Sequence, residues 1–142
     1  MKVVVWNTIC ILILLVICTY TDIRSREVSV KVLFGFGVVE TVLLLLEFLA
    51  DGIYLPTGIF VGAAMWIVSR FTKGAVGEGD ALLLIVTGIL LSLEESLVLL
   101  IGASFAAAVC GVFLLIFTKT GRKEELPFVP FLLASYIGMI MI

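Results

Sequence analysis

The chain is a succession of six apolar segments, residues 3–20, 29–50, 53–71, 81–93, 97–118 and 127–142. A membrane-spanning helix needs about 20 apolar residues, with a range of roughly 17–25. Segments one, two, three and five reach that length, while the sixth is slightly short and starts with Pro127, a good first-turn residue. Apolar residues make up 63% of the 142-residue chain and charged residues 14%. A soluble globular domain carries about 45–50% and about 25% respectively. That surplus is too large for a water-facing surface, so the expected fold is an all-α membrane protein. It is one domain over 1–142, a bundle of about six transmembrane helices.

The fourth segment, 81–93, is the short one, covering only about 20 Å at 1.5 Å per residue. Either it does not cross, or its helix continues upstream through Gly77, Glu78, Gly79 and Asp80. Charge arbitrates, because Lys and Arg accumulate in short cytoplasmic loops. Arg24, Arg26 and Lys31 lie between segments one and two, Arg70 and Lys73 between three and four, and Lys119, Arg122 and Lys123 between five and six. The loops at Asp51-Gly52 and Glu94-Glu95-Ser96 have none. This alternation requires segment four to cross and puts both termini on the outer side, with Lys2 the single dissenter. The first segment is expected to be retained: its apolar run is long for a signal peptide, no small-residue cleavage site follows, and TDIRSRE comes next.

Several chemistries are excluded early. The chain has no histidine, which removes Ser-His and Cys-His catalysis and disfavours a zinc protease. Cys10, Cys18 and Cys110 lie inside apolar segments without a CxxC pair, as expected of packing thiols rather than a metal site or disulfide framework. No basic stripe exists for nucleic acid, and no cofactor motif is present. The partner implied by composition is the lipid bilayer.

Acidic side chains in such a setting are the functional candidates, because burying a carboxylate in a membrane is costly. Asp51, Glu94, Glu95, Glu124 and Glu125 are expected on solvated loops, and Glu27 as an ion-pair partner of Arg24 or Arg26. Glu40 and Glu47 share one face of segment two, being seven residues apart. Glu47 can snorkel outward; Glu40, near mid-helix, is expected to be protonated or hydrogen-bonded to a neighbouring helix through Thr or Tyr. Asp22, Glu78 and Asp80 remain. Asp22 ends segment one on the cytoplasmic side, and two crossings later the chain reaches Asp80 on that same side. Two neighbouring carboxylates cannot both ionise easily, so one holds a proton while the other can activate a water. That is the chemistry of an aspartyl protease. Taken singly, Asp80 could be a plain N-cap and Asp22 a loop residue paired with arginine. Gly74, Gly77 and Gly79 serve no capping need, but they permit close backbone approach. A phosphate loop is the other glycine-rich option, and no GK[ST] follows.

Three stretches carry a resemblance to a known family. Gly77-Glu78-Gly79-Asp80 fits the GxGD motif of intramembrane aspartyl proteases. Thr21-Asp22-Ile23-Arg24-Ser25-Arg26-Glu27-Val28 resembles the D-x-R-x-R-x-I-P stretch of type IV prepilin peptidases, and Pro127-Phe128-Val129-Pro130-Phe131-Leu132 is similar to the PFxPFL segment opening their last helix. The resemblance implies a catalytic pair, Asp22 and Asp80, with Gly77 and Gly79 shaping the turn and no metal. It implies removal of short basic leaders from prepilin- or pseudopilin-like precursors, after a glycine next to a hydrophobic helix, at the cytoplasmic face of a prokaryotic inner membrane. Glu78 is the expected contact for a basic leader; Arg24 and Arg26 are expected to hold the loop or face lipid headgroups. Three features depart from the family pattern. Val28-Ser29 stands where Ile-Pro is frequent, Ala81-Leu82 stands where Val-Lys is frequent, and nothing corresponds to the paired-CxxC methyltransferase domain of long bacterial members. A peptidase-only short form is therefore expected. The rival expectation is a non-enzymatic small transporter using Glu40 and Asp80 as a proton relay.

Overall fold

A computed structural model describes residues 2–52, 54–74, 76–118 and 126–142. Six helices and no strands occur among them: α1 (Lys2–Ser25), α2 (Val30–Asp51), α3 (Ile59–Phe71), α4 (Glu78–Thr87), α5 (Leu93–Phe117) and α6 (Val129–Met141). Three helices, within Val4–Ser25, Val30–Asp51 and Leu93–Phe117, are long and apolar enough to cross a membrane. The α3 and α6 helices are shorter apolar ones. The charges of Lys119, Arg122, Lys123, Glu124 and Glu125 lie outside the described residues, as does the Lys2 side chain.

The helix ends show where local chemistry overrode the apolar pattern. The α1 helix runs past Tyr20 through Asp22 to Ser25 and stops where Arg26 takes φ +54°, so Asp22 is a helix residue rather than a loop residue. The third segment was expected to be helical from residue 53, yet α3 starts at Ile59, because Pro56, Thr57 and Gly58 form a turn first. The fourth helix does extend upstream, beginning at Glu78 with Gly77 as its N-cap; it ends early at Thr87, before a turn through Gly88 to Leu91. Glu94 and Glu95, expected on a loop, form the first turn of α5, where Ser92 and Glu95 make a capping box. Ser96 is buried. In α6 it is Pro130 rather than Pro127 that occupies the first turn.

Each helix packs mainly on two others, closing a ring in the order α1–α2–α4–α3–α5–α6 and back to α1. Leu14 and Leu15 of α1, Leu83 and Leu84 of α4, Leu99 of α5 and Leu132 of α6 are fully buried in one core. The outward faces are as apolar as the core: Phe34, Phe71 and Phe105 are largely exposed. Lipid rather than water suits such a surface.

The tightest packing is between α3 and α4. A Cβ on Gly62 would collide with the backbone of Ile85, and one on Gly58 or Gly88 would strike the opposing turn. The Gly58 N–H donates to the Leu91 carbonyl at 3.2 Å, the Leu93 N–H to Thr57 Oγ1 at 3.0 Å and the Tyr54 hydroxyl to the Leu90 carbonyl at 3.0 Å. These bonds satisfy the backbone at the end of a helix too short to satisfy itself.

Two acidic residues behave differently from expectation. Glu47 does not snorkel freely but accepts a hydrogen bond from Asn7 Nδ2 at 2.6 Å, joining α2 to α1. Glu40 is fully buried, and neither of its carboxyl oxygens has a hydrogen-bond partner among the described residues, so of the two expected states, protonated or bonded through Thr or Tyr, the bond is not made. Cys10 and Tyr136 stand within electrostatic reach of it.

Gly62→Leu should lower thermal stability in detergent by about 1–3 kcal/mol, the usual range for overpacking. Gly35→Ala, where an added Cβ meets nothing within 4 Å, should leave the melting temperature unchanged or slightly raised.

Candidate active site

Asp22 and Asp80 reach a common cavity by different routes. Asp22 sits in the last turns of α1 and is 7% exposed; its Oδ2 accepts a hydrogen bond from the Val129 N–H at 3.2 Å. That N–H is one of the free donors of α6's first turn, and Val129 is fully buried, so it needs an acceptor from within the protein. Asp22 is therefore tied to the last helix and not to Arg24 or Arg26. Asp80 lies in the first turn of α4 and is half-buried. It is not the N-cap, a position that Gly77 fills, against the expectation that these glycines serve no capping need.

The glycines before Asp80 act through space rather than through unusual backbone angles. Gly77 has φ −61°, open to any residue, but a Cβ there would lie 2.8 Å from Asp80 Oδ2. A Cβ on Gly79 would lie 3.1 Å from the Cβ of Val28. The α1–α2 connection thus rests against the GxGD turn, with Val28 standing where the resemblance would place isoleucine. Of Gly74, Gly77 and Gly79, Gly74 alone needs its conformational freedom, at φ +90°. Upstream, buried Ser69 donates to the Val76 carbonyl at 2.7 Å and anchors the approach to Gly77.

One cavity of about 870 Å³ brings these parts together. Its walls include Asp22, Asp80, Gly77, Glu78, Gly79 and Arg26, together with Pro127 and Phe128. The two aspartates are within electrostatic reach of each other. Arg24 does not line it: its Nη1 donates to the Tyr20 hydroxyl at 2.7 Å, and its guanidinium lies 5.9 Å from that ring's centroid. Glu27 lines the cavity but forms no ion pair among the described residues, against expectation. Glu78 stands 3.8 Å from Arg70 Nε, an exposed pair of small energetic value. Pro130 shapes the first turn of α6 without reaching the cavity. Glu40 is not part of this site.

Sequence reasoning missed Met65 and Ser104, which also line the cavity, and the Val129 N–H. For the last there was a signal. A proline-flanked helix start leaves buried N–H groups in search of an acceptor, and a carboxylate is a strong one.

A model of the type IV leader peptidase family matches residues 9–112. The chain belongs to the type IV leader peptidase family. The matched span contains Asp22 and the whole of Gly77–Asp80, and it ends before Pro127. Comparison with curated proteins and with solved structures gives no significant match. In this member of the family, the hydrogen bond from Val129 to Asp22 ties the segment beyond the family match to the residues within it.

Gly77→Ala should displace the Asp80 carboxyl and, where that carboxyl takes part in the reaction, reduce peptidase activity by about 10- to 100-fold, the scale of a small misplacement of a reacting group. The thermal melting curve should stay close to that of the parent protein, because Gly77 is exposed and its φ suits alanine.

Proposed function

We propose that the protein is an intramembrane aspartyl endopeptidase that removes the leader from type IV prepilin-like precursors, with Asp22 and Asp80 as its catalytic dyad. The observation that carries this reading is that both carboxyls open into one cavity walled by all three motifs. The chain crosses the membrane six times, with both termini outside and the basic loops in the cytoplasm, so cleavage takes place at the cytoplasmic face.

The chemistry needs one ionised and one protonated carboxyl, the usual state of a close pair. The ionised member takes a proton from a water as that water's oxygen attacks the scissile carbonyl carbon. The protonated member gives its proton to the carbonyl oxygen. Collapse of the tetrahedral intermediate breaks the C–N bond, and the proton taken from the water passes to the leaving amine. Glu78 and Glu27, both on the cavity wall, face the basic leader. The relay alternative has no support from the geometry, since Glu40 is sealed in the core away from this cavity.

Asn at position 22 keeps an oxygen for the Val129 N–H, so Asp22→Asn isolates chemistry from packing. Asp22→Asn and Asp80→Asn should each abolish leader removal, followed as a leader-length mass loss of a co-expressed precursor in membranes, with normal insertion. Full activity in either variant removes the dyad. Glu40→Gln should retain cleavage; loss of function there without a folding defect would revive the relay.

A further inference from the structure

The connection from α3 to α4 carries Asp80 into the aspartate cavity, and one buried residue holds that connection from behind. Val76, Gly77, Glu78, Gly79 and Asp80 form a continuous strip of the cavity wall. Ser69, in the last turns of α3, is not on that wall and is 1% exposed. Its hydroxyl donates to the Val76 carbonyl at 2.7 Å, and its own carbonyl accepts the Gly74 N–H at 3.3 Å. The second bond closes the end of α3, where Lys73 at φ +51° and Gly74 at φ +90° turn the chain in the left-handed region. Ser69 therefore grips the connection at two points: where it leaves α3, and one residue before the Gly77 cap of α4. Among the described residues, no other side chain makes a hydrogen bond to the backbone of Gly74, Val76 or Gly77.

We infer that Ser69 is a positioning residue for Asp80, acting through the Val76 carbonyl and touching neither the substrate nor the dyad. The inference rests on the peptidase reading above. The other restraints on this end of α4 are weak or distant. Gly77 caps the helix without a side-chain bond, and the Arg70–Glu78 pair is exposed. The close glycine contact that locks α3 to α4 is between Gly62 and Ile85, more than a turn beyond Asp80. A hydrogen bond is directional where apolar contact is not, so the Ser69 bond fixes the orientation of the Val76–Gly77 peptide from which α4 begins. Asp80 follows three residues later on the first turn of a rigid helix, so a rotation of that peptide moves its carboxyl relative to Asp22. A serine donating to its own helix would stabilise α3 alone. This one reaches out of its helix, to the strip that carries the reacting group.

The test measures cleavage of a prepilin-like precursor by the detergent-purified protein, with kcat referred to the folded fraction from size-exclusion chromatography. Ser69→Ala should lower kcat by about tenfold or more, the scale of a small misplacement of a reacting group, with KM within about twofold of the parent. Ser69→Thr keeps the donor and should retain most of the activity. Thr72→Val is the control, because the Thr72 hydroxyl donates only to the Val68 and Ser69 carbonyls of α3 itself; its kcat should match the parent's. Where the alanine variant does not fold, Ser69→Cys, similar in size but a weak donor, carries the same expectation. Parental kcat in Ser69→Ala overturns the inference, as does a rise in KM at constant kcat. An equal loss in a stably folded Ser69→Thr or in Thr72→Val also overturns it, and so does failure of both the alanine and cysteine variants to fold, which makes the bond purely structural. A parent protein that cleaves no precursor defeats the peptidase reading itself, whereas a cleaving parent indifferent to Ser69 loses only the positioning role.

Discussion

The backbone-to-backbone approach of α3 and α4 is the constraint on which the remainder depends. The α4 helix has ten residues and cannot bury its polar ends by length alone. Gly58, Gly62 and Gly88 remove the side chains that would hold α3 away, and the surrounding turns supply partners for the exposed peptide groups. A short helix held this way carries Asp80 at a fixed depth rather than at a floating terminus. It also leaves α2, more than twice as long, with a face that α4 covers incompletely.

The two carboxyls are positioned by unlike means. Asp22 is held by attraction, through a buried N–H at the start of α6. Asp80 is held by absence, since Gly77 leaves the space that its oxygen occupies. Both meet the beginning of a helix, where unpaired N–H groups and the helix dipole favour acceptors. The motif residues divide accordingly. Gly77, Gly79 and Val28 shape the walls; Pro130 sets the first turn of the helix that holds Asp22.

Much of this could be read from residues alone, and the part that could not has a common cause. Apolar length and basic loops locate six helices, and the shortness of segment four draws its helix back past Asp80; the observed helix starts at Glu78, with Gly77 as its cap. Neighbour relations were hidden, because in lipid the outward face of a helix is as apolar as the inward face. Periodicity that separates core from surface in water is lost, and so the ring order was not legible. The late start of α3 was missed because Pro56-Thr57-Gly58 was subsumed in an apolar run. Glu40 and Glu47 look alike on one face. Only the tertiary structure shows that one meets Asn7 and the other has no hydrogen-bond partner among the described residues.

The bond between Asp22 and Val129 spans 107 residues of sequence. A ribosome adding about 5–20 residues per second needs on the order of 5–20 s to make that stretch. Throughout that interval α1 is already synthesised while the donor for its carboxylate does not yet exist. The nascent protein therefore carries an unfinished pocket, whose wall at Phe128 arrives only with the start of α6.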